Sequence, residues 1–202
     1  MIVYISVMDL TSIMRLELLD TDVLGGERID AIIALKSQHW PYPRDSQVEW
    51  FAQHVAASDR HLLGWKDDTL IGYLRIVRAD GMQGLRMVPL ALVDTVCIDR
   101  ACQGKTFGVA LMAGANRAIR DSGRVGLLAC ARHLVTFYAR CDWTSLSSSV
   151  EATSDLAGIL PGGNTFLVYD PTTRLTQAPL HVSAPDRTPA ARNLRCPSRD
   201  AS

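Results

Sequence analysis

No stretch of this sequence reaches the roughly 18 uncharged apolar residues that a membrane-spanning helix needs, so no helical membrane span is expected. Net charge is missing too. The 21 Lys and Arg balance 21 Asp and Glu, which leaves no global field to gather nucleic acid or an anionic membrane. Residues 1–7 are mostly apolar but have no basic flank and no small-residue cleavage site, so a secretory signal is not expected. The five cysteines are odd in number, scattered, and form no C-x-x-C pair. That disfavours a disulfide framework and a zinc site and points to a reducing, cytoplasmic setting. His133 follows Cys130 by three residues without a second such pair, so no metal is expected. Cys97 and Cys130 sit in apolar runs and read as small core filling.

What is present is an ordinary globular composition, 48% hydrophobic and 21% charged. The length suits one domain with a core that needs no staples. The zero charge, however, is a sum of unlike parts. Residues 171–202 hold five arginines against two aspartates and five of the nine prolines. With few large apolar groups to offset its ordering entropy, this tail is expected to be disordered and dispensable. The folded domain is expected over 1–170, and it is mildly acidic. Met14 is an alternative start, which leaves the status of residues 1–12 open.

Hydrophobic periodicity predicts a strand at 13–19 and a helix at 27–38 with Ile29, Ile32, Ile33 and Lys36 near helical spacing. Pro41 and Pro43 interrupt it, and a second helix follows to about 57. Strands are expected at 60–65, 70–77 and 90–98, with a Gly- and Met-rich loop at 80–87. The run 90–98 is nearly all apolar, which suggests burial on both faces, and Asp94 is the charge inside it. A helix to 121, a strand at 125–130, a short helix at 133–140 and a strand at 165–169 complete a mixed α/β arrangement without repeats.

Residues 103–108 form a glycine-punctuated turn between a strand and a helix. Such a turn offers backbone N–H groups and the positive end of a helix to a pyrophosphate. A P-loop would need glycine where Asp99 stands, and a Rossmann turn would need more than Gly104 and Gly108. The sequence Gln103-Gly104-Lys105-Thr106-Phe107-Gly108-Val109 instead resembles the Q/R-x-x-G-x-G/A acyl-CoA loop of the GNAT superfamily of N-acetyltransferases, with Thr106 in place of the middle glycine. The second half of that signature also matches. A strand is followed by Phe137-Tyr138 and then by Asp142-Trp143, at the separation usual for the family. Within it, the chain looks most like the aminoglycoside 2′-N-acetyltransferases. They share an acid-bearing strand (Asp94), a Gly-x-Leu strand (Gly126-Leu127-Leu128), and a Tyr then a Trp five residues on. They often end in an aromatic and acidic C-terminus, whereas this chain ends in a basic, Pro-rich one.

The resemblance implies a mostly antiparallel mixed α/β (α+β) sheet with helices on both faces and splayed central strands. It implies acetyl-CoA as co-substrate, without a metal, held by Val96, Cys97, Ile98 and the 103–109 loop. Amine acetylation needs a base for the ammonium, an acid for the leaving thiolate, and a donor to the carbonyl oxygen. Asp94, through water, is the expected base and Tyr138 the expected acid. Backbone N–H groups of Val96 or Cys97 are the expected donors. Without the resemblance, Asp94 reads as a paired structural charge and Tyr138 as a core aromatic. Trp40, Tyr42, Glu49, Asp142 and Trp143 are expected to line the acceptor site, and Trp50 reads equally as site or core. The expected acceptor is a small-molecule amine with few amino groups, an aminoglycoside of the kasugamycin type acetylated at the 2′-nitrogen, giving resistance. Neither nucleic acid nor membrane is expected as a partner, and a homodimer is compatible with the sequence. The alternatives are a transferase for another small amine or a longer acyl chain, and a catalytically silent acyl-CoA-binding module.

Overall fold

A computed structural model describes residues 3–6, 14–184 and 187. The strands are β1 (Val3–Ser6), β2 (Arg15–Asp20), β3 (Arg60–Lys66), β4 (Thr69–Gln83), β5 (Arg86–Ile98), β6 (Val125–Cys130), β7 (Thr144–Ser145), β8 (Val150–Ala152), β9 (Thr165–Tyr169) and β10 (Leu180–Ser183). The helices are α1 (Gly25–Ser37), α2 (Arg44–His54), α3 (Phe107–Asp121) and α4 (Val135–Ala139). The sheet runs β1-β2-β3-β4-β5-β6-β9-β7, and β10 pairs with both β4 and β8. Pairing is antiparallel except for β5 with β6 and β8 with β10. The β5–β6 pair is parallel because α3 carries the chain back across the sheet between them.

Alternating side chains send each strand's apolar residues to two faces. Leu62 and Leu74 pack with Leu111, Met112 and Ala115 of α3. Their neighbours Leu63 and Tyr73 pack with Ile29, Ile32 and Ile33 of α1 on the other face. The mixed, mostly antiparallel sheet with helices on both faces is the expected architecture.

Two expectations are corrected. The 80–87 loop is instead the closed end of a β4–β5 hairpin, in which Gln83 pairs with Arg86 across Gly84-Leu85 and Gly84 takes φ +61°. Strand structure extends that far because residues 80–82 of β4 find β10 on one edge and β5 on the other. The tail is likewise not free from 171 onward. Leu180 and Val182 of β10 are buried against Leu90 and Leu127 in a core of their own with Leu156 and Leu160. A few well-placed apolar residues on an available strand edge outweigh the low mean apolar content of the segment. The rest of the tail, and residues 1–2 and 7–13, lie outside the described residues.

One buried titratable group sets an acid limit on this fold. His61 is fully buried, with Nδ1 2.8 Å from the Tyr73 hydroxyl and Nε2 3.0 Å from Thr21 Oγ1. Burial pushes its imidazole down from 6.5 to about 3. A base depressed in the folded state contributes stability above its unfolded value and loses it as pH falls. The thermal midpoint is therefore expected to drop between pH 6.5 and pH 4, and His61→Phe to flatten that slope. Equal slopes in the two proteins would refute the assignment.

Candidate active site

The register of β5 decides where a ligand can enter. Tyr73 pairs with Cys97 and Arg75 with Asp94, so two residues of β5 oppose one of β4. Thr95 absorbs the extra residue with φ +54°, a left-handed backbone that a β-branched residue adopts only where pairing on both sides holds it. From Val93 on, just before the bulge, β5 no longer pairs with β6. Their pairing covers only Leu90–Leu92 against Val125–Leu127, although both strands run on to Ile98 and Cys130. The two strands thus part into a wedge whose facing backbone groups are not paired with one another.

The wedge opens into a cavity of about 750 Å³. Val93, Asp94, Thr95 and Val96 form one wall, and Leu128, Ala129 and Cys130 the other. Tyr138 lies at the side, while Trp40, Tyr42, Gln47 and Trp50 cover the top. The loop bearing Trp40 and Tyr42 is pinned by Gln47, whose buried Nε2 donates to Ser37 Oγ at 2.8 Å and to the Tyr42 carbonyl at 3.2 Å. At the same end, His39 Nε2–H donates to the Ile98 carbonyl, and Gln38 bonds both the Asp99 carboxylate and the Arg100 amide. The loop bearing Trp40 and Tyr42 and the segment leading into the glycine turn are therefore fastened together through the end of α1.

The turn itself fits a diphosphate. Gly104 takes φ +73°, and the first hydrogen bond of α3 runs from the Ala110 amide to the Thr106 carbonyl. The amides of Phe107, Gly108 and Val109 point out of the helix end, and no Thr106 side-chain bond caps them. A Cβ on Gly108 would stand 3.2 Å from the Phe137 ring, a tight contact that the glycine avoids where α3 meets α4. Gln103 donates to the Ile98 carbonyl and Lys105 to the Ala101 carbonyl. Val96 faces the wedge, whereas the Cys97 side chain is buried on the α1 face, where burial pushes its thiol up to about 12.

Asp94 lies in a buried charge cluster. Its Oδ2 accepts from Arg75 Nη2 at 2.6 Å and from Thr95 Oγ1 at 2.9 Å. Arg75 also holds Asp59 at 3.3 Å, and Arg187 reaches the same Asp59 oxygen at 3.5 Å. Tyr138 is 6% exposed, with its ring edge-on to Phe137. Burial pushes its hydroxyl above the ordinary tyrosine range. Among the described residues that hydroxyl makes no hydrogen bond.

Three expected acceptor residues are displaced. Glu49 lies on the exposed face of α2 and accepts from Gln53, because the inward positions there belong to Gln47 and Trp50. Asp142 is exposed in a turn with φ +66°. Trp143 is 1% exposed, wedged against Gly126, with its Nε1 donating to Asn116 at 2.8 Å. It fills the core where β6 has no side chain. Sequence reading missed Arg75 and passed over Lys36. Each is a cation in an otherwise apolar stripe, and that mismatch was the available signal.

These features can be set beside known proteins. The sequence model of the acetyltransferase (GNAT) family matches residues 29–143, more than half of the chain. The chain belongs to this family. No curated protein matches it. Among solved structures it is similar to Escherichia coli ElaA, 18% identical, with TM-score 0.56 over 77% of this chain and 97% of that one. A GCN5-related N-acetyltransferase from Kribbella flavida is 19% identical with TM-score 0.53 over 66% of this chain, which spans only 34% of that protein. An aminoglycoside 6′-N-acetyltransferase solved with coenzyme A is 10% identical with TM-score 0.53, covering 75% and 95%. At these identities the likeness is one of fold. It extends to the GNAT family as a whole and gives no special closeness to 2′-N-acetyltransferases.

Proposed function

We propose that the protein transfers the acetyl group of acetyl-CoA to a primary amine of a small molecule seated in the aromatic-roofed cavity. The observation that carries this is the wedge between β5 and β6, which opens on that cavity with Tyr138 in its lining; the uncapped start of α3 follows β5 in the chain. When bound, acetyl-CoA supplies the acyl group and a thiol leaving group; overall an N–C bond forms, a C–S bond breaks and one proton is released. Gly104 and the first amides of α3 hold the diphosphate. Val96, in the unpaired stretch of β5, offers its backbone N–H to the thioester oxygen. Tyr138 gives its hydroxyl proton to the departing sulfur, and Asp94 Oδ1, the oxygen not engaged by Arg75, takes the ammonium proton through water.

Trp40, Tyr42 and Trp50 suit a sugar ring, so an amino sugar of the kasugamycin kind, with a role in resistance, is the acceptor type we favour within this reading. A heavily aminated aminoglycoside suits the cavity poorly, because Asp94 is the carboxylate lining it and Arg75 already binds it. The test is thiol release from acetyl-CoA with a panel containing kasugamycin, kanamycin, glucosamine and simple amines. Release with at least one weakly cationic amine is expected. Acetyl-CoA binding without release from any member would favour the silent binding module, and absence of binding would refute the proposal.

A further inference from the structure

Lys36 is the charged group that the proposed chemistry leaves unused. It lies in the last turn of α1, on the apolar stripe with Ile29, Ile32 and Ile33, and is 8% exposed. Its ammonium sits 4.1 Å over the Trp50 ring and lines the cavity. Among the described residues it makes no hydrogen bond and no ion pair. A buried ammonium with three donors and no acceptor is costly, and an aromatic face compensates only part of that cost.

The carboxylates nearby are already taken. Asp94 is bound by Arg75 and Thr95, and Asp59 by Arg75 and Arg187. Three cations (Lys36, Arg75 and Arg187) therefore face two carboxylates, and the surplus positive charge is the one turned toward the cavity. Burial lowers Lys36 to about 8, with Asp94 acting in the opposite direction, so the group is still mainly cationic at neutral pH. A monoanion completes this arrangement, whereas a polycation worsens it.

We infer that the acceptor bears a carboxylate as well as its amine, and that the Lys36 ammonium binds that carboxylate against the face of Trp50. This rests on the acetyl-transfer reading and narrows its substrate class to amino acids and acidic amino sugars. The amine is directed to Asp94 and the wedge, and the carboxylate to Lys36 at the α1 wall. Lys36 then sets specificity and is not the base.

The test uses matched probes with the full chain: phenylalanine against phenylalaninamide, and 6-aminohexanoate against hexylamine. Thiol release from acetyl-CoA is expected to favour the carboxylate member of at least one pair by about 10-fold or more in kcat/KM, since a hydrogen bond to a charged group contributes that order. Lys36→Met is expected to collapse this ratio to about one, chiefly through KM, and Lys36→Arg to keep much of it. Equal use of both members by the wild type, preference for kanamycin, or a ratio unchanged in Lys36→Met would overturn the inference. So would a fall in kcat for both members alike, which is the mark of a base. Thermal shift with the two carboxylate probes separates the two readings. If neither the probes nor the amine panel gives thiol release, stabilisation of the wild type but not of Lys36→Met by a carboxylate probe supports the anion site while refuting transfer. Release with panel amines but neither turnover nor stabilisation with the carboxylate probes would overturn the anion site alone, and no stabilisation with no release from any amine would overturn both.

Discussion

Tyr138→Phe is expected to lower kcat about 100-fold or more while leaving the thermal midpoint unchanged. The separation of the two effects follows from the packing. The ring lies in the core beside Phe137, and its substitution by phenylalanine preserves those contacts. The hydroxyl makes no hydrogen bond among the described residues, so its removal leaves no partner orphaned. What is lost, on the proposed chemistry, is the proton donor in the cavity lining. Burial, followed by the neighbouring Cys130 and Cys141, raises the hydroxyl above its ordinary value, so the acid form persists across the neutral and moderately alkaline range. The wild-type rate is accordingly expected to show no alkaline limb from this group up to about pH 9, since the ordinary tyrosine value is near 10. Steady-state thiol release for wild type and variant between pH 6 and pH 9 checks both statements. Undiminished turnover would remove Tyr138 from the chemistry, and a parallel loss of stability would make its role one of packing.

The sheet and its helices were legible because their signals are local. The alternation in 60–65, the apolar run 90–98 and the helical stripe of α3 each follow from a short window of sequence. The glycine turn was legible for a similar reason, since a strand, a turn and a helix start lie in one segment. The ends of elements were less so. The last residues of β4 are strand because they pair with β5 across Gly84-Leu85 and, at residues 80–82, with β10 some hundred positions later.

The acceptor side was the least legible part. Trp143 and Trp50 are both tryptophans near the site, and only tertiary contacts separate them. Gly126 leaves a hole that Trp143 fills, whereas Trp50 stands over Lys36 at the cavity wall. The same holds for Asp94. In the sequence it is a single acid in an apolar strand, and the partner that defines it, Arg75, is one strand away in a register shifted by the bulge. A lysine in the stripe of α1 and an arginine in the apolar run of β4 were each visible as local conflicts. Such conflicts between residue and environment tend to fall at functional sites.

Arg75→Met is expected to cost about 3–5 kcal/mol of folding stability, because it breaks a buried charge network from its centre. Arg75 is 1% exposed and donates to Asp94 at 2.6 Å, to Asp59 at 3.3 Å and to the His54 carbonyl at 2.8 Å. Its loss leaves Asp59, also 1% exposed, with Arg187 as its remaining ion-pair partner among the described residues. For a chain of this length the corresponding fall in thermal midpoint is about 10 °C. The sign of the pH dependence identifies the cause. Desolvation already raises Asp59 above its ordinary value, with Arg75 the largest opposing influence. Without Arg75 the carboxyl is raised further. An acid raised in the folded state contributes stability below its unfolded value, near 3.9, and loses it as pH rises through the folded value. The deficit of Arg75→Met relative to wild type is therefore expected to shrink on acidification, and all the more because Arg75 also helps to hold His61 low, so that acid weakens the wild type more than the variant. Adding Asp59→Asn and Asp94→Asn to Arg75→Met is expected to recover part of the loss, because the orphaned charges go with them. Chemical denaturation at pH 7.5 and pH 5 decides the point. A deficit that is constant with pH and unmoved by the two asparagines would mean that Arg75 stabilises the fold by its packing and not by its charge.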